Sequence, residues 1–170
     1  MIRTLIITTI AIVFFSCTDD QTFDIPTSSP NGDYTYSSVS QFYNAQNSLE
    51  NTSINSGALV LSITAGTGTI SSTPILGWSY DFRISNITDH TLRDGSTVQS
   101  FRISVQSATA NSKEFNIQGT GNMELEDSDG TTIGTYDGII VGDELKYEFE
   151  SFDIETFEKT VSTISATQVD

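Results

Sequence analysis

Apolar and polar residues alternate in several short stretches, and this alternation constrains the fold more than any other feature of the chain. In "WSYDFRIS", residues 78–85, every second side chain is aromatic or aliphatic and the others are polar. Because successive side chains of a β-strand point to opposite faces, this pattern predicts a strand with one buried face. "SFRISVQ", "KEFNIQGTG" and "ELKYEFES" repeat it.

Turn-forming residues separate these stretches. Asp94-Gly95, "DSDG" at 127–130 and Gly142-Asp143 each favour a tight reversal of the chain. No stretch of useful length has helical periodicity, although residues 40–50 could form either a short helical turn or a polar loop. The predicted fold is therefore all-β: an antiparallel β-barrel of about eight to ten strands, with a β-sandwich as the alternative.

The phase of each alternation predicts which side chains face the interior. Beyond the aromatic residues described below, the predicted inward residues are Leu59, Leu61, Ile63, Ile84, Ile103, Val105, Ile117, Ile139, Val141 and Leu145. The last predicted strand, residues 160–169, has a weaker pattern.

Charge excludes one class of partner. The chain has 170 residues, the size of one domain, with 22 acidic and only 7 basic residues and a net charge of −15. Such an acidic surface repels phosphate backbones, so nucleic acid is not an expected partner.

The N-terminus has the pattern of a secretory signal peptide. Arg3 is followed by an apolar run, residues 4–15, which is shorter than the roughly 20 residues that a membrane-spanning helix needs. A small residue, Ser16, ends the run, and Cys17, the only cysteine, follows it. Residues 1–16 are therefore predicted to be removed.

The segment that ends at Cys17 resembles the lipobox of Gram-negative bacterial lipoproteins. The resemblance implies that Cys17 becomes the first mature residue and carries acyl chains, so that the outer membrane is a partner of the protein. Thr18-Asp19-Asp20 resembles an acidic export signal that directs such lipoproteins to the cell surface. Residues 17–32 contain two of the three prolines and are expected to form a flexible tether, followed by one β domain at 33–170.

Few residues could act in catalysis or bind a metal ion, and their spacing fits neither role. His90 is the only histidine and is expected in a solvated loop, without a serine in a nucleophile-elbow pattern. Glu144, Glu148 and Glu150 would share the outward face of one strand. "EDSDG", residues 126–130, lacks the ligand spacing of a calcium loop and is expected to be a hairpin turn. We therefore predict a non-catalytic protein without a metal or cofactor.

An aromatic set is the strongest candidate for a functional site. Its members are predicted to converge on one interior: Trp78, Tyr80, Phe82, Phe101, Phe115, Tyr147 and Phe149. They could form a packed core, or they could line a cavity, because a barrel of about eight strands can hold one small ligand. In the second case buried tyrosine hydroxyls would orient the ligand.

The hairpin "GTYDGIIVGDELKYEFES", residues 134–151, and the successive alternating strands resemble the lipocalin-like lipoproteins of Gram-negative bacteria. That resemblance implies a barrel that binds a small apolar ligand. The leading hypothesis is thus a lipid-anchored, surface-exposed, non-catalytic binding module for such a ligand. The alternative is a structural, adhesin or glycan-binding β-sandwich lipoprotein that exposes its aromatic residues on one sheet as platforms for sugar rings.

Overall fold

The computed structural model describes residues 29–75, 78–110 and 113–169, apart from the side chains of residues 72–79 and 110. The predicted signal peptide, Cys17 and most of the predicted tether lie outside these ranges. The described residues form strands and turns and include no helix that could span a bilayer. The strands are β1 (Gly32–Tyr43), β2 (Leu49–Thr64), β3 (Thr67–Ile75), β4 (Trp78–Thr91), β5 (Thr97–Ile103), β6 (Gln106–Ala110), β7 (Lys113–Gly119), β8 (Met123–Glu126), β9 (Thr132–Tyr136), β10 (Gly138–Val141), β11 (Glu144–Asp153) and β12 (Lys159–Gln168).

Ten of these strands form one antiparallel sheet, and eight of the ten close into a ring. The ring order is β10-β5-β4-β3-β2-β1-β12-β11, and pairing of β10 with β11 closes it. The all-β prediction is confirmed. Residues 40–50, left open between a helical turn and a loop, form the end of β1, a turn and the start of β2.

Two strands share one edge of β11. β10 pairs with its first half, from Glu144 to Tyr147, and β7 pairs with its second half, from Phe149 to Asp153. The other partners of β10 and β7 are β5 and β6, which follow each other along the chain with only two residues between them. The β6–β7 hairpin therefore extends the sheet beyond the point where the ring closes.

Two side chains pack directly against glycines where the ring closes. A Cβ on Gly138 would lie 2.1 Å from Cζ of Phe101, and a Cβ on Gly119 would lie 2.0 Å from Cγ of Asp137. Asp137 is buried, and its carboxylate accepts a hydrogen bond of 2.7 Å from the backbone N–H of Ile103. Arg102 lies 3.3 Å from the same carboxylate. The junction of β5, β7 and β10 is thus held by one buried charge with two partners.

The main core lies inside the ring, as the alternation predicts for most strands. Its buried members are Tyr34, Tyr36, Leu59, Leu61, Ile70, Phe82, Ile84, Phe101, Ile103, Ile117, Ile140, Leu145, Tyr147, Phe149, Ile164 and Ala166. Ile63 packs against this core while partly exposed.

Three predicted inward positions, on two segments, are wrong. Val105 is 72% exposed, because it lies between β5 and β6, where the chain leaves one strand partner for another. On β10, Ile140 is buried, whereas Val141 is 45% exposed and Ile139 only partly buried. Gly138, opposite Phe101, occupies the inward position before Ile140 and so sets the phase of this strand.

A smaller packed unit lies on the outside of the ring. The β8–β9 hairpin forms a separate two-stranded sheet, and Leu125 and Val98 are buried outside the main core cluster. Val98 is on the same β5 face as the fully buried Ser100, opposite to the inward Phe101. The hairpin therefore covers part of the outer face of β5.

The two ends of the ring differ in what they carry. At one end, which we call the tether rim, Ser29–Asn31 contact the domain. The Asn31 side chain hydrogen-bonds both the N–H and the carbonyl of Ile63, and the buried Tyr34 hydroxyl donates to the Pro30 carbonyl at 2.7 Å. The opposite end, the far rim, carries the β1–β2 and β11–β12 turns.

Candidate functional site

Four of the predicted aromatic residues meet inside the ring. Phe82, Phe101, Tyr147 and Phe149 are each at most 5% exposed. The ring centroid of Phe82 lies 4.6 Å from that of Phe149 and 5.8 Å from that of Tyr147, and Phe101 lies 6.5 Å from Tyr147. These separations are those of aromatic side chains in direct contact. The predicted convergence is present, and the rings fill the space where they meet.

Of the other three predicted aromatic residues, two are only partly buried, and the side chain of the third is not described. Tyr80 packs against the core with its ring centroid 5.0 Å from that of Phe82, but it is only partly buried. Phe115 is also partly buried, on β7 beyond the ring closure. The backbone of Trp78 begins β4, and its side chain lies outside the described residues.

Burial fixes the protonation of the interior tyrosines. It raises the pKa of Tyr147 far above its usual value, because the phenolate would have to exist without water. Burial also raises the pKa of Tyr80, and the nearby Asp81 adds to that effect while Arg83 opposes it. Both hydroxyls therefore remain neutral at physiological pH.

A second aromatic group lies on the outer face at the far rim. Tyr43, Lys159 and Phe152 occupy one cross-strand row of β1, β12 and β11. The Lys159 ammonium lies 5.2 Å from the centroid of the Tyr43 ring. Phe157, in the turn that follows β11, makes an edge-to-face contact with Phe152 at 5.9 Å. We call these four residues the far-rim platform.

The turn that carries Phe157 holds this side chain in an unusual conformation. The φ angle of Phe157 is +59°, and the residue is 61% exposed. A bulky residue rarely adopts positive φ, because its Cβ crowds the backbone. Its N–H donates to the carbonyl of Asp153, and Ile154, 42% exposed, precedes it in the same turn. The chain thus keeps a strained backbone conformation and places an aromatic ring in water.

Asp153 organises that turn from within. Its buried carboxylate accepts hydrogen bonds from the N–H groups of Glu155 and Thr156 at 2.9 and 3.0 Å, and from the Lys113 ammonium at 2.9 Å. Chiefly because of Lys113, and then of the backbone N–H groups, the pKa of Asp153 lies well below its usual value. The same bond raises the pKa of Lys113.

Polar side chains surround the platform. On the outer face, Asn116 lies opposite Phe152, and Gln118 lies opposite Glu150 in the neighbouring row. The Gln118 amide donates to Glu150 at 2.6 Å, and Lys159 lies 3.9 Å from the same carboxylate. Flat rings beside amide and carboxylate groups offer an apolar face for the C–H side of a sugar and hydrogen-bond partners for its hydroxyls.

The platform residues were absent from the predicted site, although the sequence contained a signal for them. Leu145, Tyr147 and Phe149 are odd-numbered and face inward, so Phe152 on the same strand must face outward. What the sequence could not provide was the register that places Tyr43 and Lys159 beside it, since their strands are far apart in the chain.

The prediction that His90 lies in a solvated loop is wrong. His90 lies in β4 opposite Val98, and its Nε2 is 2.8 Å from the Ser100 hydroxyl. The His90 ring also lies 5.3 Å from the ring of Tyr136 on β9. Ser100 is fully buried, so this hydrogen bond joins the neighbouring strands β4 and β5, and the contact with Tyr136 joins β4 to the β8–β9 hairpin.

The "EDSDG" segment forms the turn between β8 and β9, as predicted. Asp127 accepts the backbone N–H of Arg93 at 2.9 Å, and the Arg93 guanidinium contacts both Asp127 and Asp129. This backbone bond is the main reason why the pKa of Asp127 is lowered. The carboxylates therefore contact the turn that follows β4, and within the described ranges no cluster of three or more acidic, histidine or cysteine residues could hold a metal ion.

Comparison with models of protein families finds none that matches this chain, and comparison with curated proteins finds no match either.

Proposed function

We propose that this chain is a lipid-anchored outer-membrane lipoprotein that presents a non-catalytic glycan-binding β domain at the cell surface. The observation that carries the proposal is the far-rim platform, where Phe157 is exposed in a strained turn beside Phe152, Tyr43 and Lys159. Backbone strain of this kind persists where the surrounding structure enforces it, and it is concentrated at functional sites.

The position of the platform supports an anchored arrangement. A lipid on Cys17 would be followed by residues 18–28, which can span at most about 40 Å, and then by Ser29–Asn31 on the tether rim. The far rim is at the opposite end of the ring, so the platform would point away from the membrane. Two or more acyl chains on Cys17 would make the attachment stable.

The chemistry of the platform supports sugar recognition. Sugar rings bind to solvent-exposed aromatic side chains, and the platform offers the exposed ring of Phe157. The partly buried Phe152 and Tyr43 lie beside it, with Asn116, Gln118 and Glu150 nearby. The interior aromatic residues cannot serve as such a surface, because they are buried against each other.

The glycan proposal is tested with a chain that starts at Thr18, titrated against a panel of neutral bacterial and host oligosaccharides by calorimetry. Phe157→Ala should weaken binding by about 2- to 10-fold, the range expected for loss of one aromatic contact. Ile54→Ala is the matched control, since Ile54 is 77% exposed on the outer face of β2. Absence of binding to the whole panel, or equal loss in both variants, would reject the proposal.

The anchoring proposal needs a separate measurement in cells of a lipoprotein-processing Gram-negative bacterium. The full chain should incorporate a clickable fatty acid, partition into detergent and be removed by protease added to intact cells. Cys17→Ser should abolish fatty-acid labelling. Labelling that persists in Cys17→Ser would show that Cys17 is not the acylated residue.

A small apolar ligand in the interior is the second candidate function. Tyr80 favours it, because it packs against the core while only partly buried. Native mass spectrometry of the chain from Thr18, purified gently, should then show a discrete bound mass that Phe82→Ala removes without unfolding the protein. A clean ligand-free mass, or loss of fold alone, would reject this candidate.

A further inference from the structure

A groove of about 470 Å³ lies on the outer face of β2, β3 and β4, apart from the far-rim platform. Hydroxyl groups dominate its lining, from Ser62, Thr64, Thr67, Thr69, Ser85 and Ser104, and among the described residues that line it only Arg83 is charged. Its volume lies within the range of roughly 300–1,000 Å³ that small-ligand sites have.

The partners of the basic residues distinguish Arg83 from every other cation of the described ranges. Five have a carboxylate within 4 Å: Arg93 with Asp127, Arg102 with Asp137, Lys113 with Asp153, Lys146 with Glu144, and Lys159 with Glu150. Within the same ranges Arg83 makes no such pair, although the chain has 22 acidic residues. Arg83 is exposed, so its guanidinium is accessible from solvent and has no carboxylate of the described ranges within 4 Å.

The strand register shows what surrounds Arg83. Ser62, Thr69 and Arg83 form one cross-strand row, and Ser104 donates its N–H to the Arg83 carbonyl. Asp81 is the nearest acid along the strand on the same face, two residues away, or about 7 Å. It lies opposite Ser71, in the neighbouring row and outside the groove lining.

A second groove provides an internal comparison. It has a volume of about 380 Å³ on the outer face of β1, β11 and β12, and Thr35, Ser37, Ser165 and Thr167 give it a similar hydroxyl lining. Its cation, Lys146, lies 2.8 Å from Glu144, which lines the same groove. The two grooves therefore differ chiefly in whether their cation is already neutralised.

We propose that the Arg83 groove binds an acidic sugar, with the guanidinium on the carboxylate or phosphate and the hydroxyls on the sugar ring. An arginine fork matches such oxyanions through two parallel hydrogen bonds. This inference rests on the proposed glycan-binding function and extends it from neutral sugars to acidic ones at a second site.

The test follows the Arg83 Nε–H signal by NMR in the chain from Thr18, titrated separately with glucuronate, glucose 6-phosphate, glucose and inorganic phosphate. At least one acidic sugar should shift this signal at lower concentration than glucose or inorganic phosphate does. Added salt should weaken that binding, because the contact is exposed. Equal effects of inorganic phosphate and the acidic sugars would show an ion-only contact and overturn the proposal.

Two variants test whether Arg83 itself is responsible for binding of the acidic sugar. Arg83→Gln should weaken binding of the acidic sugar, measured by calorimetry, by about tenfold or more, as expected for loss of a charged hydrogen bond. Lys146→Gln, the matched control in the second groove, should leave it unchanged. Equal weakening by both variants would indicate unspecific attraction and overturn the proposal. If the unmodified chain bound neutral glycans but none of the acidic sugars, this inference would be refuted and the proposed function would not.

Discussion

Asp153 orders the turn that carries Phe157, the exposed aromatic residue of the far-rim platform. Its carboxylate is buried, yet it is charged, because Lys113 and two backbone N–H groups compensate for the lost water. By ordering the turn that follows β11, it fixes the position of Phe157. The exposed ring of the platform therefore depends on a buried ionised group beneath it.

This dependence predicts a pH effect with a definite sign. The folded-state pKa of Asp153 is lowered, so its contribution to stability is complete above the unfolded value near 3.8 and is lost as the pH falls below it. Asp153→Asn should lower Tm at pH 7, and the difference from the wild type should shrink below about pH 4. Thermal unfolding followed by circular dichroism, from about pH 2 to about pH 8, measures this difference in Tm.

The control for this prediction lies in the same turn. Glu155 is exposed and contributes only its backbone N–H to the carboxylate of Asp153. Glu155→Gln should therefore leave Tm nearly unchanged at every pH. If Asp153→Asn behaved in the same way, the carboxylate would not be what holds the turn.

At the scale of elements, the β8–β9 hairpin is attached by its own small core. Leu125 is 3% exposed although its strand is outside the ring, and the contacts of Arg93 with Asp127 and of His90 with Tyr136 also link the hairpin to β4 and the turn that follows it. The exposed Arg93 pair contributes little, since such pairs are worth at most about 1 kcal/mol. Burial of Leu125 should therefore dominate the attachment.

Leu125→Ala should accordingly release the hairpin without unfolding the ring. The expected cost is about 2–5 kcal/mol, confined to this unit. Hydrogen exchange followed by mass spectrometry should show faster exchange in β8 and β9 and unchanged exchange in β1 and β12. Ile133→Ala is the control, because Ile133 is 42% exposed on the same hairpin. Uniform acceleration over the whole chain would show that the hairpin does not open separately.

At the scale of the whole molecule, hydrogen bonds at the tether rim join the N-terminal and C-terminal ends of the described domain. The Gln168 side-chain amide donates to the carbonyls of Ser29 and Asn31, and the Val169 N–H donates to the Asp33 carbonyl. Tyr34 is fully buried and depends on the Pro30 carbonyl for its hydroxyl. These contacts fix residues 29–31 against the start of β1 and the end of β12.

Removal of these residues should therefore destabilise the domain. A chain that begins at Gly32 leaves the Tyr34 hydroxyl without its acceptor, a cost of about 1–3 kcal/mol. Chemical denaturation should show this loss relative to a chain that begins at Ser29, whereas chains beginning at Thr18 and Ser29 should be equally stable. Equal stability of all three chains would mean that Ser29–Asn31 only lie against the rim.

Alternation predicted the strand class and most of the core, because side-chain direction on a strand is a local property. Phe82, Tyr147 and Phe149 were assigned to the interior correctly on this basis. The same reasoning misplaced Val105 and the β10 residues, since a change of partner strand or a glycine at a crowded junction shifts the phase. It also gave no indication that β8 and β9 leave the ring.

Local side-chain patterns in the chain are enough to predict an antiparallel all-β fold with an apolar interior, and they include the motif on which the anchoring proposal depends. The contacts among the predicted aromatic residues, the shared row of Tyr43, Lys159 and Phe152, and the lack of an acidic partner for Arg83 among the described cations follow from the three-dimensional arrangement. The physical reason is that register between distant strands is set by the packing of the whole ring. A one-residue shift in any strand would move its side chains to the other face.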